Sequence, residues 1–397
     1  MRILLVNHFP LEGSGSGVVT RNLARELVLA GHKVLVIAPD HAPCTGQPFE
    51  VRTIICDPGD GRTADLPFNF PCFTTHPQSP VTFHGLTDDQ IDLYATVYWR
   101  FIEKALRDFM PDLIHVQHLW VAAACVADSG LPYVATVHGT DLMGYEQDER
   151  YHEMAERGML CARRIVGISR RIAEKTRRLF PQAADRITVI HNGFDSGIFK
   201  PRPEVTRTGV LAEFGLPETR HLVCFVGKLA DFKGVDTLIH AAALYERELG
   251  SVTTLIIGMG TLRGELERQA AANGLHNLHF IDYQPTPALI RAFSGADLAV
   301  FPSREEPFGL VAIEALACGT PVVTTNQGAF PEYVTPEVGT MVDINAPDQL
   351  AAAIISELRA DAKRTKGPAA AEYAAREFAW SRKIREYIDL YQRALRE

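Results

Sequence analysis

The chain has 397 residues, 46% of them hydrophobic and 22% charged, with a formal net charge of −8, which is the composition of a globular protein of about two domains. The acidic balance argues against a nucleic-acid binder, whose domains tend to be basic, and no apolar run approaches the roughly 20 residues of a membrane-spanning helix. Seven scattered cysteines without a C-x-x-C pair indicate reduced thiols and predict a cytoplasmic location.

The first half of the sequence alternates short apolar runs with amphipathic segments, which predicts parallel strands joined by helices. The predicted strands cover residues 3–6, 33–38, 113–116, 133–137 and 165–168, and predicted helices cover 19–30 and 90–109. Ser169 is the predicted N-cap of a further helix. Residues 41–88 are rich in Pro, Gly and Asp without a clear period, so we expect a functional, irregular stretch there.

Residues 191–203, HNGFDSGIFKPRP, cluster Gly, Asn, Asp and Pro and therefore predict a domain linker. The alternation then restarts, with strands at 222–226, 253–257, 277–281, 298–301 and 321–324 and helices that begin near 234, 262, 286, 309, 347, 368 and 380. The sequence thus predicts an α/β protein with two Rossmann-like domains and an interdomain cleft at the carboxyl ends of both sheets.

Two glutamates, Glu306 and Glu314, lie eight positions apart in the segment REEPFGLVAIEALACGTPVV, which follows a predicted strand and opens a predicted helix. The free N–H groups of that helix start are expected to bind an anion. Eight helical residues span about 12 Å, so the two carboxylates can hold both ends of an elongated ligand with an anionic middle, such as a nucleotide sugar. The alternative is that Glu306 complements the helix dipole and Glu314 lies on a solvated face.

Other polar residues lie at predicted strand ends. Lys228 and Lys233 follow strand 222–226 beside glycines, and His138 follows strand 133–137 within HGTD. Each is either a ligand contact or an ordinary surface or structural side chain. In IHVQHLW, His115 and His118 are interpreted as strand-end packing, because no third ligand is spaced to complete a metal site. No Asp-x-Asp pair is present, so no metal is expected.

Three glycines in EGSGSGVV, Gly13, Gly15 and Gly17, precede the first long helix and would let the backbone approach a phosphate or sugar. A nicotinamide site needs G-x-G-x-x-G directly after the strand, and here the third glycine comes one residue early. The paired arginines within 163–178 are interpreted as a solvated face, with an anionic acceptor or a membrane surface as the alternative.

Taken together, these segments resemble retaining glycosyltransferases of the GT-B fold, glycosyltransferase family 4. The segment with Glu306 and Glu314 is similar to the family's E-x7-E motif. The other similar segments are FVGKLADFKGVDTLI (225–239), TLIIGMGTLRGELE (254–267), VIHNGFDSGIF (189–199) and TVHGTD (136–141). The resemblance extends over most of the chain and is specific for the family.

The resemblance implies roles for individual residues. The catalytic residues would be His138, Lys233 and Glu306. The donor-binding residues would be Gly17, Lys228, Lys233, Tyr283, Glu306, the amides of Phe308, Gly309 and Leu310, and Glu314 on the ribose hydroxyls. The family usually has Arg at the position of Lys228, and a lysine offers a point charge rather than a bidentate fork.

The resemblance also implies three parts: an acceptor-binding domain at 1–196, a nucleotide-sugar-binding domain at 197–378, and a C-terminal helix at 379–397 that crosses back to the first domain. We expect retaining transfer of a glucose- or N-acetylglucosamine-type sugar from a UDP-linked donor to a hydroxyl of a small soluble acceptor. The donor is a substrate, and neither a cofactor nor a nucleic-acid partner is expected. Open alternatives are a sugar-nucleotide epimerase, a transferase with a lipid or polysaccharide acceptor, and an inactive binding module.

Overall fold

The structure of the protein is a computed structural model that describes residues 1–73, 76 and 78–397. These residues form two compact units. Unit 1 comprises Met1–Gly193 with Trp380–Glu397, and unit 2 comprises Phe194–Ala379. Among the described residues, no helix combines the length and the apolar content that are needed to cross a bilayer.

The described part of unit 1 contains a seven-stranded sheet in the order β3-β2-β1-β4-β5-β6-β7, and every pairing is parallel. The strands are β1 (Arg2–Val6), β2 (Lys33–Asp40), β3 (Glu50–Ile55), β4 (Leu113–Gln117), β5 (Tyr133–Val137), β6 (Arg164–Gly167) and β7 (Ile187–Val189). The helices are α1 (Gly15–Leu29), α2 (Asp88–Asp108), α3 (Val121–Ala127), α4 (Thr140–Gln147), α5 (His152–Leu160), α6 (Arg170–Leu179) and α14 (Trp380–Arg396). Strands β4 and β5 are buried at every position, as parallel strands covered on both faces are.

Unit 2, all of whose residues are described, has a six-stranded parallel sheet in the order β10-β9-β8-β11-β12-β13. The strands are β8 (His221–Val226), β9 (Val252–Ile257), β10 (Leu278–Ile281), β11 (Leu298–Phe301), β12 (Val322–Thr325) and β13 (Gly339–Val342). The helices are α7 (Arg207–Glu213), α8 (Val235–Leu249), α9 (Arg263–Ala272), α10 (Thr286–Gly295), α11 (Leu310–Ala317), α12 (Pro347–Arg359) and α13 (Ala362–Phe378).

Short 3₁₀ turns connect some of these elements, at Phe83–Gly85, Glu149–Tyr151, Pro181–Arg186, Asp231–Lys233 and Phe330–Glu332. Both sheets follow the doubly wound order, in which the strand order reverses beside the first strand of the unit. The reversal lies between β1 and β4 in unit 1 and between β8 and β11 in unit 2. Open α/β sheets bind ligands outside the carboxyl ends of the strands at such a reversal.

The predicted class, α/β with two Rossmann-like domains, is confirmed by these sheets. Strands 133–137 and 298–301 have the predicted bounds. Ser169 caps α6 as predicted, because its hydroxyl accepts a hydrogen bond from the backbone N–H of Ile172 at 3.2 Å.

Two local predictions are wrong. The stretch 41–88 contains strand β3, which the pattern hides because only one of its six residues is buried; residues 74, 75 and 77 of that stretch lie outside the described residues. The helix expected from 368 begins at Ala362 and holds Pro368 in its interior. The residue before this proline is Gly367. A side chain is not tolerated at that position, because a Cβ would lie 2.6 Å from the carbonyl oxygen of Gly319.

Packing in unit 1 leaves no room at Gly144 of helix α4. A Cβ at this position would lie 2.0 Å from the ring of Trp120, which is fully buried. We expect Gly144→Ala to lower the free energy of unfolding by about 1–3 kcal/mol, the usual cost of overpacking. Urea denaturation measures this change.

Gly264→Ala is the matched control, since this glycine lies in helix α9 with no atom near its added Cβ. Alanine favours helices by up to about 1 kcal/mol relative to glycine, so the control should be neutral or stabilising. Equal effects of the two substitutions would contradict the packing argument.

Candidate active site

In unit 2, the segments that follow β8 and β11 meet at the reversal of strand order. The backbone N–H of Arg304 donates to the carbonyl oxygen of Phe232 at 2.8 Å. Gly234 has φ +65°, and a Cβ there would lie 2.1 Å from the carbonyl oxygen of Pro302. Only glycine therefore lets the turn after β8 approach the loop after β11 so closely.

This contact brings Lys233 and Glu306 together, two residues that the sequence predicts for the site. The Nζ of Lys233 lies 2.5 Å from Oε2 of Glu306, and the two side chains are only 15% and 8% exposed. The hydroxyl of Ser303 also donates to Oε2, at 3.3 Å. Oε1 of Glu306 accepts no hydrogen bond from the described residues and remains available to a ligand.

Ser303 was not among the predicted site residues. Its position three residues before Glu306 and two residues after the end of β11 is the signal that could have identified it. The backbone of Glu306 is also held, since its carbonyl oxygen accepts from the N–H of Ala329 at 3.0 Å. A Cβ at Gly328 would lie 2.0 Å from that same oxygen. The position of the Glu306 carboxylate is therefore fixed from two sides.

Helix α11 begins at Leu310, with Gly309 as its left-handed N-cap at φ 85°. The backbone N–H groups of Gly309, Leu310 and Val311 have no acceptor among the described residues. The side chain of Phe308 is buried against Tyr333, and its carbonyl oxygen accepts a hydrogen bond from the Tyr333 hydroxyl at 2.8 Å. The free amides and the helix dipole give this end of α11 the properties of an anion site.

Glu314 lies on α11 among buried apolar neighbours and is itself only partly exposed, which does not fit the solvated face considered as its alternative. Its carboxylate has no hydrogen-bond or ion-pair partner among the described residues. Burial raises the pKa of Glu314 to about 8. Ionising the Glu314 carboxylate in the ligand-free protein therefore costs free energy. Hydrogen bonds from hydroxyl groups of a ligand would offset that cost.

Lys228 and Tyr283 are the other donor residues predicted in unit 2. Lys228 is half-buried between β8 and the turn that carries Lys233. Tyr283 follows β10 and is 61% exposed. Strand β10 lies two positions from β8 in the sheet, about 10 Å away, and no hydrogen bond joins Tyr283 to Lys233 or Glu306 in the described structure.

In unit 1, Gly17 lies inside α1 rather than in a loop before the helix, because the helix begins at Gly15. The predicted glycine loop is therefore wrong for Gly15 and Gly17. The N–H of Gly17 donates to the hydroxyl of Ser14 at 3.0 Å, and a Cβ at Gly17 would lie 1.9 Å from the carbonyl oxygen of Pro10. Close packing alone thus accounts for a glycine at this position.

His138 follows β5, is 7% exposed, and contacts Oε1 of Gln117 through its Nε2 at 2.8 Å. Burial first, and then the neighbouring His118, lower the pKa of His138 well below its usual value. Asp141 accepts hydrogen bonds from the backbone N–H groups of His138 and Gly139 at 3.3 and 2.7 Å. Gln117 and Asp141 are contacts that the sequence analysis did not single out.

The described residues include no group of three or more His, Cys, Asp or Glu side chains that could hold a metal ion. His115 and His118 are both buried at β4, as strand-end packing requires. His118 adopts φ 71°, and its Nδ1 lies 3.5 Å from Oδ2 of the buried Asp141. Its ring lies 4.5 Å from that of His138, between centroids.

Two family models match the chain in succession. The model described as Glycosyltransferase Family 4 matches residues 13–197, and the model described as Glycosyl transferases group 1 matches residues 210–377. A D-inositol 3-phosphate glycosyltransferase of Corynebacterium glutamicum is 30% identical over 429 residues, which covers 100% of this chain and 97% of that protein.

Solved structures with the same fold cover nearly the whole chain. The sucrose-phosphate synthase of Thermosynechococcus elongatus superposes with a TM-score of 0.79 at 23% identity, covering 99% of this chain and 98% of that chain. Anabaena HepE, in complex with UDP and glucose, superposes with a TM-score of 0.75 at 20% identity, covering 99% of each chain.

The two doubly wound units and these structural neighbours define the GT-B fold. The chain belongs to glycosyltransferase family 4. It is therefore a glycosyltransferase that uses a nucleotide sugar.

The raised pKa of Glu314 makes the stability of the ligand-free protein depend on pH. The folded protein holds a proton that the unfolded chain releases above its ordinary pKa of 4.5, so stability falls as pH rises from 4.5 to about 8. Glu314→Gln removes this loss. We expect the variant to exceed the parent by a few kcal/mol in unfolding free energy at pH 8, and the difference to vanish near pH 4.5.

Denaturant unfolding at several pH values measures this difference. Glu265→Gln, which changes an exposed glutamate of α9, controls for the loss of one negative charge. A Glu314→Gln variant that follows the parent at every pH would show that the carboxylate is not held in an apolar environment.

Proposed function

We propose that the protein transfers a hexose of the glucose or N-acetylglucosamine type from a UDP-linked donor to a hydroxyl group of a small soluble acceptor, with retention at the anomeric carbon. The reaction requires neither a metal ion nor a cofactor. Unit 2 binds the donor, and unit 1 contributes His138 and the acceptor site. The protein acts in the cytoplasm, as its scattered free cysteines suggest.

The observation that carries this proposal is the contact between Lys233 and Glu306 at 2.5 Å beside the free amides of α11. A nucleotide sugar needs hydrogen-bond acceptors for its hydroxyls and positive potential for its diphosphate. Oε1 of Glu306 supplies the first to the sugar. Lys233 and the start of α11 supply the second, with Lys228 assisting.

The carboxylate of Glu314 completes the donor site. Two hydroxyls of a ribose can donate to it, which satisfies a group that has no other partner among the described residues. The UDP in the structure of Anabaena HepE supports uridine as the base, and the glucose in the same structure supports a hexose. The family resemblance implies two further donor contacts, at Tyr283 and Gly17.

The roles of these residues in the transfer step follow from the negative charge that develops on the leaving group. As the glycosidic bond breaks, negative charge grows on the departing phosphate, where Lys233 and the amides of α11 stabilise it. Retention needs no protein nucleophile if the leaving phosphate takes the proton of the acceptor hydroxyl on the same face of the sugar. His138 and Glu306 then orient the sugar and its reacting carbon.

The name of the Corynebacterium glutamicum relative, a D-inositol 3-phosphate glycosyltransferase, supports a small hydroxylated acceptor. Thermal-shift screening of nucleotide sugars identifies the donor, and mass spectrometry of candidate polyol acceptors then identifies the product. Stabilisation by a donor without any transfer product would favour a binding module. Turnover of a nucleotide sugar without release of nucleoside diphosphate would favour an epimerase.

Lys233 should act mainly on the rate of the chemical step. An interaction that is stronger in the transition state than in the ground state raises kcat. We expect Lys233→Ala to lower kcat by roughly 10²–10³, as removal of a comparable electrostatic donor does, and Lys228→Ala to cause a smaller loss.

Lys33→Ala changes an exposed lysine at the start of β2 and is the control. Thermal unfolding of each variant is compared as well, because Lys233→Ala leaves Glu306 without its cation. A folded Lys233→Ala protein with near-normal kcat would remove this lysine from the chemistry.

Activity should survive chelation of metal ions. The lysines and the helix N-terminus supply the positive potential that a diphosphate-bound metal supplies elsewhere. We expect turnover in excess EDTA to equal turnover in the presence of magnesium. Loss of activity in EDTA with recovery on adding magnesium or manganese would refute the metal-independent mechanism.

A further inference from the structure

The side chain of Gln117 lies between two buried histidines of unit 1. Gln117 is the last residue of β4 and is fully buried. Its Oε1 lies 2.8 Å from Nε2 of His138, and its Nε2 lies 3.3 Å from Nε2 of His115. The amide therefore contacts the same ring nitrogen, Nε2, on both histidines.

With the amide of Gln117 in this orientation, the contacts determine which nitrogen of each ring carries the proton. A neutral imidazole has one N–H donor and one acceptor nitrogen. Because the amide oxygen of Gln117 can only accept, Nε2 of His138 is the donor. The amide nitrogen can only donate, so Nε2 of His115 accepts from it at 3.3 Å. The hydroxyl of Thr136, which lies 2.7 Å from the same Nε2, is then a second donor to it. Nδ1 of His115 then donates to the hydroxyl of Tyr391 on α14, at 2.7 Å.

We propose that Gln117 is a positioning residue that holds neutral His138 in the Nε2–H tautomer, so that its Nδ1 accepts a hydrogen bond from a hydroxyl group of the substrate. This inference rests on the proposed function, which places His138 among the residues that act on the sugar. It adds the ring nitrogen that does so and the group that selects that nitrogen.

The surroundings of His138 keep its imidazole neutral, so its tautomer rather than its charge decides which ring nitrogen can accept a hydrogen bond from the substrate. Burial, His118 and His115 lower the pKa of His138, and Asp141 opposes them. His138 is therefore neutral at ordinary pH. Asp141 accepts a hydrogen bond from the backbone N–H of His138, not from its ring. Among the described residues, Gln117 is the hydrogen-bond partner of the ring and orients the imidazole.

The direct test is the tautomer itself. Nitrogen NMR of the full-length protein labelled with ¹⁵N-histidine distinguishes Nε2–H from Nδ1–H, and the signal that disappears in His138→Asn is that of His138. We expect the Nε2–H form in the parent and a mixture of both forms in Gln117→Met, which keeps the volume of the side chain and removes both hydrogen bonds. A parent with Nδ1–H, or an unchanged tautomer in Gln117→Met, would overturn the proposal.

The same variant is tested for transfer. We expect kcat to fall by about 10–100-fold, as for other groups that orient a functional histidine, with little change in the KM for the donor. Gln182→Met, at an exposed glutamine of unit 1, is the matched control. Normal kcat in a folded Gln117→Met protein with a mixed tautomer would contradict the role of His138 Nδ1.

Gln117→Glu separates orientation from packing. A carboxylate still accepts from Nε2 of His138, so the tautomer is kept, but the negative charge favours the imidazolium. We expect kcat near the parent value above pH 8 and an acid limb of the pH profile that moves up by about 1–3 pH units. A parent-like profile would contradict a contact between residue 117 and the working imidazole.

The experiments distinguish a failure of this inference from a failure of the proposed function. If no glycosyl transfer is found, the proposed function fails, whereas the NMR comparison still decides whether Gln117 sets the tautomer of His138. If transfer is found and the tautomer does not respond to residue 117, only this inference fails.

Discussion

The ion pair between Lys233 and Glu306 is the interaction on which the geometry of the donor site depends. Taking a carboxylate out of water costs several kcal/mol unless a cation and further hydrogen bonds replace the water. Lys233 and Ser303 provide that replacement at one oxygen of Glu306. The other oxygen has no partner among the described residues and is left for a ligand.

The ion pair in turn requires the topology of unit 2. Lys233 follows β8 and Glu306 follows β11, and these strands are neighbours only because the strand order reverses there. Gly234 is the local requirement, because any side chain at this position would collide with the backbone of Pro302. The ion pair thus depends on the strand order and on a glycine at position 234.

The strands that the sequence predicts well are the buried ones. Strands β5 and β11 are buried at every position, and in the sequence they are short, mainly apolar segments with clear boundaries. Strands β3 and β13 lie at the edges of their sheets, with many partly exposed residues. Half-exposed edge strands carry polar residues, so their hydrophobic pattern is weak and they resemble loops.

The residues of the site also differ in how well the sequence predicts them. Lys233, Glu306 and the start of α11 could be predicted because they follow strands at known positions of a recognisable motif. Gln117 could not, because its importance lies in hydrogen bonds to residues from other segments and in the orientation of its side chain. A sequence pattern records which residue types follow a strand, but it does not record which atoms they present to each other.

Glu306 and Glu314 belong to one motif, and the protein stabilises them in opposite ways. Glu306 has the Lys233 ammonium within hydrogen-bond distance before any ligand binds. Glu314 has no such partner, and its pKa of about 8 keeps it largely protonated near neutral pH. Hydroxyl groups that donate to its carboxylate would favour the charged form and lower that pKa. Glu314 thus gains its charge mainly when a hydroxylated ligand is present, which makes its contribution to binding selective for ligands that bring such donors.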